Sequence, residues 1–262
     1  MSLTGKTLSG SYKDILQVDN SNNGITANGK DVKDGEGTTS ALSLGSDRVM
    51  IQPQATDSTR AVRVMTQSGS EVMAIETSTS LVKVNGTSVN TQYATFAVNS
   101  TELAGASAGR HFAIPFQNST YADVSNPPMF GSGIDPETSF TTAESNGYRA
   151  SDIVPMMWYL CDDISIDAVK HIEGADTATG DTTRLHLYSY DFTSGATNCL
   201  TNGTLLARSA NTTNAGSEQP YFQNWAIDSA AVTSGKVIIA TMDADSVNSD
   251  YSAIITVKYH LT

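Results

Sequence analysis

Apolar positions along this chain recur with a period of two, the spacing of β-strands whose alternate side chains face opposite sides. Ala61-Val62-Arg63-Val64-Met65 and Val72-Met73-Ala74-Ile75-Glu76 flank Gln67-Ser68-Gly69-Ser70. That is two strands around a glycine turn, a hairpin. Leu81-Val82-Lys83-Val84 continues the pattern and runs into Asn85-Gly86, whose glycine tolerates positive φ. Tyr12 to Val18 reads as a further strand, whereas residues 19–40 read mainly as turns around Asn20-Ser21-Asn22-Asn23-Gly24 and Asp34-Gly35-Glu36-Gly37. Helical periodicity is scarce: its best stretch, Ser100 to Ala104, is ended at once by Gly105.

Three regions follow from this pattern. Residues 1–90 are too thin in core residues to bury much apolar surface within one chain, so neighbouring copies are expected to order them. Residues 91–110 read as a connector with Tyr93, Phe96 and Val98 as its few anchors. Residues 111–262 open on His111-Phe112-Ala113-Ile114-Pro115-Phe116 and hold both tryptophans. Strands are predicted there near Val154–Leu160, Ile164–Lys170, Arg184–Tyr190, Thr204–Ala207, Tyr221–Ile227, Lys236–Thr241 and Ala253–Leu261. The expected fold class is all-β, with an antiparallel, jelly-roll-like β-sandwich over 111–262. In Arg184-Leu185-His186-Leu187-Tyr188-Ser189-Tyr190 the two leucines should face the core, with His186 and the tyrosines outward.

Composition narrows the function classes. Only 16% of residues are charged and 39% hydrophobic, with Ser, Thr, Asn, Gly and Ala filling the gap. That suits sheets whose outer faces carry hydroxyl and amide groups better than it suits a charge-dense disordered tail. The net charge of −12, with no cluster of Lys and Arg, argues against nucleic-acid binding. The longest apolar run, Ile153 to Cys161, is interrupted by Pro155 and is far short of a membrane span. Met1-Ser2-Leu3-Thr4-Gly5-Lys6 shows no apolar stretch behind its lysine, so no secretory signal is expected and the chain reads as made in the cytoplasm. Two cysteines, Cys161 and Cys199, are too few for a disulfide framework or a zinc site and read as buried free thiols, although they could meet.

Candidate chemistry is sparse. His111, His171, His186 and His260 show no metal-ligand spacing and read as strand-face or interface residues. Gly105-Ala106-Ser107-Ala108-Gly109 fits a nucleophile-elbow pattern but lacks the strand before it and the helix after it. Gly24 to Lys30 has phosphate-loop spacing, but Asp31 stands where a Ser or Thr should bind magnesium. Asp162-Asp163 are adjacent, so along a strand they point to opposite faces and do not make a glycosidase pair. Asp243, Asp245 and Asp250, with Asn248, offer oxygen ligands that calcium favours, against the plainer reading of a solvated turn. Tyr188, Tyr190, Tyr221 and Trp225 are the candidates for an exposed, receptor-facing aromatic surface; the competing reading places them in the sandwich core or an oligomer interface. The expectation is a non-enzymatic chain without a cofactor or a resident metal.

Val62-Arg63-Val64, Ser68-Gly69-Ser70, Ala74-Ile75-Glu76-Thr77 and Val82-Lys83-Val84-Asn85-Gly86 together resemble the stems of tailed-bacteriophage fibres. Tyr12 to Asn20 and Asp34-Gly35-Glu36-Gly37-Thr38 are similar to N-terminal parts of the same proteins. Asp163 to Val169 and Leu185 to Tyr190 resemble the sandwich heads that such fibres carry. The resemblance implies a virion component, a homotrimer with an extended β-rich stem, located on the tail or the capsid. It implies an N-terminal region held by other virion proteins and a C-terminal head displayed towards a glycan or protein of the host surface. A shorter chain than most tail fibres fits a short spike, a capsid fibre or an adaptor. The alternatives are a monomeric decoration or carbohydrate-binding module and, behind them, a glycan depolymerase.

Overall fold

The computed structural model describes residues 16–21, 23–100, 109–117, 127–142, 148–176, 180, 182–215, 219–244 and 250–262. The fold is all-β, built from four antiparallel sheets. The chain divides into two compact units, Met1–Val89 and Asn90–Thr262.

The first unit holds two four-stranded meanders. One comprises β1 (Gln17–Val18), β2 (Lys30–Lys33), β3 (Thr39–Leu44) and β4 (Val49–Ile51). The other comprises β5 (Val62–Met65), β6 (Glu71–Glu76), β7 (Leu81–Val84) and β8 (Thr87–Ser88). The expected hairpin is present, with Val62 opposite Ile75 and Val64 opposite Met73. Its turn closes through the Thr66 amide donating to the Ser70 carbonyl at 2.8 Å, with Gly69 at φ 88°. Asn85 and Gly86 both take positive φ, 49° and 76°, the two-residue turn whose twist matches that of paired strands. Of the stretch expected as a strand over Tyr12–Val18, Gln17–Val18 pair with β2 and residues 12–15 lie outside the described residues. Among the described residues of this unit, only Val32, Gly35, Ser43 and Ala74 are buried.

The second unit runs β9 (Thr91–Ser100), β10 (Phe112–Ile114), a short helix α1 (Ala150–Ile153) continued by a 3-10 turn (Val154–Met156), β11 (Trp158–Tyr159), β12 (Ile164–Asp176), β13 (Thr182–Phe192), β14 (Leu200–Arg208), β15 (Thr212–Thr213), β16 (Pro220–Asn224), β17 (Ala226–Ile227), β18 (Ala231–Val232), β19 (Lys236–Ala244) and β20 (Asp250–Leu261). A seven-stranded sheet has the order β10-β19-β13-β14-β17, with β11 on β19 and β15 on β13. A five-stranded sheet has the order β16-β12-β20-β9, with β18 on β12. Between them lies the main core, with Phe96, Ile114, Trp158, Ile166, Leu185, Leu187, Ile238, Ile255 and Val257 among its members.

Three expectations are corrected here. Thr91–Ser100 is not a connector: it pairs along β20 from Thr91 opposite His260 to Ser100 opposite Tyr251, and Ala94, Phe96 and Val98 enter the core. Val154 to Met156 are helical rather than extended because Pro155 sits in the first positions of the 3-10 turn, where its missing N–H costs nothing. The seven-stranded sheet is buried on both faces. Its outer side meets a second core of Phe130, Phe140, Ile153, Met156, Tyr188, Tyr190, Leu200 and Ile239, so His186, Tyr188 and Tyr190 point away from the leucines yet are buried. The candidate helix at Ser100–Ala104 falls, beyond Ser100, outside the described residues.

Candidate functional site

Of the four candidate receptor-facing residues, three serve packing. Tyr188 and Tyr190 fill the second core, where the Tyr190 hydroxyl donates to the Glu137 carbonyl at 2.9 Å and burial raises both phenol pKa values, that of Tyr188 to about 12. Trp225 belongs to the main core. Tyr221 is half-buried; its hydroxyl accepts from the Ala215 amide at 3.2 Å. These four do not form one aromatic surface.

Trp225 instead anchors a buried polar chain that joins the two sheets. Its Nε1 donates to His171 Nδ1 at 2.5 Å, which leaves the His171 proton on Nε2. That nitrogen lies 3.3 Å from Glu173 Oε1, without hydrogen-bond alignment, while Thr183 Oγ1 donates to Glu173 Oε2 at 2.9 Å. Burial pushes the Glu173 pKa up, and contacts with His171, Thr212 and Thr183 outweigh it, leaving the carboxyl below its ordinary range. Trp225, His171 and Glu173 are buried, and Thr183 brings the end of this polar chain to the wall of a cleft.

A second polar cluster lies under the cover of the seven-stranded sheet. His111 and His186 meet edge to face at 4.9 Å between ring centres, both fully buried. His111 Nε2 bonds the Gly133 carbonyl at 2.9 Å. Burial first, then the positive field of His111, Arg184 and Arg208, lowers the His186 pKa to about 3. The 3.6 Å approach of His186 Nε2 to Asp135 Oδ1 is therefore a contact of a neutral imidazole and not an ion pair. Behind it a cleft of about 430 Å³ is lined by Gly133, Thr183, Arg184, Asn211 and Asp243 among others.

The other sequence candidates separate. Asp163 Oδ1 accepts from the Ser234 amide at 2.7 Å, which lowers its pKa and ties it to a turn; Asp162 lines a separate shallow pocket with Trp158 and Tyr259. A strand, β2, follows Gly24–Lys30 instead of a helix, so no phosphate loop forms. Gly105 to Ser107 and Ala108 lie outside the described residues, as do Asp245 and the Asp250 side chain. Among the described residues no group of three metal-ligating side chains converges and no helix is long and apolar enough to cross a membrane. Cys199 is buried as expected and its thiol is pushed up by that burial, whereas Cys161 is exposed; both are free.

What sequence reasoning missed are two surfaces. In the first unit, directly paired residues share a face, so Val62, Ile75 and Val82 form one row and Val64, Met73 and Val84 the next. None of the six is buried; Val64 is 48% and Val84 43% exposed. The opposite face carries Arg63, Ala74 and Lys83, with ion pairs Arg63–Glu71 at 3.0 Å and Lys83–Glu76 at 3.0 Å. In the second unit, the outer face of the five-stranded sheet carries the row Phe222–Ile172–Ile254–Ala97 across four strands. Phe222 is 59%, Ile172 54% and Ile254 55% exposed.

No family model and no curated protein matches the chain. Among solved structures it is similar to one titled "Structure of Eiger TNF from S. frugiperda". The likeness spans 64% of this chain and 92% of that one, at 10% identity and a TM-score of 0.28.

Proposed function

We propose that this chain is a structural protein of a tailed-phage virion, a short homotrimeric fibre or spike of the tail or capsid. Its first unit forms the stem and the attachment to other virion proteins. Its second unit is the head that meets the host surface, by binding rather than catalysis. The observation that carries the reading is the apolar face of β5, β6 and β7. A sheet with ion pairs on one side and six apolar positions on the other, two exposed and four half-buried, is half of a core. Each half-exposed aliphatic side chain that becomes buried contributes roughly 1 kcal/mol. Six per copy, in three copies, reach the range that holds an oligomer together. The sequence resemblance to fibre stems covers the same strands.

The test is the solution mass of the full chain by light scattering. Three times the 27.7 kDa of one chain is expected, falling to one after Val64→Lys with Val84→Lys. The matching change on the other face, Arg63→Gln with Lys83→Gln, should leave the mass intact. A wild-type chain that runs at 27.7 kDa at all concentrations overturns the trimeric stem.

A further inference from the structure

We infer that the outer face of the five-stranded sheet is the head's binding surface and that it takes an acidic polysaccharide. The inference rests on the reading of the second unit as a host-surface-binding head and names what that head binds.

Register fixes which residues share this face. One row is Pro220–Gly174–Ser252–Asn99 and the next is Phe222–Ile172–Ile254–Ala97. Then come Asn224–Lys170–Thr256–Thr95 and, past a bulge in β12, Lys258 beside Tyr93, which is 64% exposed. An aromatic ring and two branched aliphatic side chains in line make a strip against which the C–H face of a sugar ring packs. Hydroxyl and amide side chains border that strip on both sides, where sugar hydroxyls would lie. Gly174 adds no side chain, so the strip stays accessible from its Pro220 side.

Charge selects among sugars. Residues 90–262 hold 7 of the 15 basic and 18 of the 27 acidic residues, so this unit carries almost all of the chain's net negative charge. The four rows nevertheless contain two cations and no acid; the acids of this face lie at its ends, Asp167 bonded to His260 at 2.9 Å and Asp176 at a register position opposite Asp250. Neither Lys170 nor Lys258 has an ion-pair partner among the described residues, whereas Lys236 pairs with Asp191 and Arg208 contacts Asp135 and Asp228. Unpaired lysines are mobile point charges that accept carboxylates in many geometries. At physiological salt the Debye length is about 8 Å, so the acids on other faces of the unit are screened from a ligand on the central rows. Two cations match a polymer with no more than one charge per sugar ring. They do not match nucleic acid, with a charge every ~1.7 Å of duplex.

The test is binding of the full chain to polygalacturonate, with dextran as the uncharged control, by affinity electrophoresis and calorimetry. Retention by polygalacturonate and none by dextran is expected, weakening several-fold between 50 and 200 mM salt, as release of counterions from about two contacts requires. Lys170→Gln with Lys258→Gln should weaken binding at least tenfold, and Lys170→Arg with Lys258→Arg should restore it, both with an unchanged melting temperature. Equal binding of dextran, or full binding by the double glutamine variant, overturns the inference. So does a fall in solution mass on Phe222→Ser with Ile254→Ser, which would place a second copy on the strip. A trimer that binds no polyuronate refutes this inference and leaves the fibre reading standing. A monomer that binds it refutes the trimeric stem and leaves the inference standing.

Discussion

His186 shows how a single residue sets a pH dependence. It is neutral in the fold, with a pKa near 3, and takes up a proton in the unfolded chain near its ordinary 6.5. A lowered pKa contributes stability that is fully present above 6.5 and is lost as pH falls towards 3. Glu173 acts in the same sense, because its lowered pKa holds stability above the ordinary carboxylate value that disappears as acid protonates it. Neither His186 nitrogen has a hydrogen-bond partner among the described residues, so an apolar ring of similar shape should be tolerated. His186→Phe is expected to fold and to lose about 1.4 kcal/mol per pH unit of acid sensitivity between pH 6 and 4, read from urea melts at several pH values. Gly203 is a steric counterpart. A Cβ there would come 2.6 Å from Tyr190 Cε1 and 2.8 Å from the Thr138 Cα. One of those neighbours is backbone and cannot swing away. Gly203→Ala should cost roughly 1–3 kcal/mol and lower the melting temperature of the second unit by several degrees.

Whole elements were legible wherever a strand has one wet and one dry face. The hairpin at Val62–Glu76 and the strands at Ile164 and Ala253 follow directly from alternation, while β19 at Lys236 reads as the continuous apolar run of a strand with two dry faces. β13 misled for a physical reason: both of its faces are dry, and Leu alternating with His and Tyr looks the same whether the polar-tipped rings meet water or a second core. β9 was missed because its inward Ala94, Phe96 and Val98 alternate with Thr95 and Ala97, residues too small to give a strong signal. The strip of Phe222, Ile172 and Ile254 comes from three strands that are distant in sequence. Each reads locally as an unremarkable exposed apolar residue, and only the register brings them into line. The aromatic candidates failed for the opposite reason: Trp225 has a polar group satisfied by His171, so its burial carries no penalty that sequence could register.

At the scale of the whole molecule the two units differ in what one chain can complete. The second unit closes two cores by itself, whereas the first buries four described residues. If further copies supply the missing half of its core, unfolding of the first unit becomes a mass-action process. Its melting transition should then move upward with protein concentration, by several degrees over a hundredfold range, while that of the second unit stays fixed. Calorimetry at two concentrations reads both. Two transitions that are each independent of concentration would argue for a monomer.

The pairing of β9 with β20 places Thr91, where the sandwich begins, directly opposite His260, next to its end. The sandwich is therefore a loop in the mechanical sense, with entry and exit side by side. A pull between those two points opens the ladder one bond at a time, as a zipper, and meets little resistance. A pull between Thr91 and a ligand held on the strip at Phe222, Ile172 and Ile254 instead loads β9, β20, β12 and β16 together in shear, through many backbone bonds at once. A load that enters through β9 and leaves through the strip is therefore borne in the direction in which this sheet is strongest.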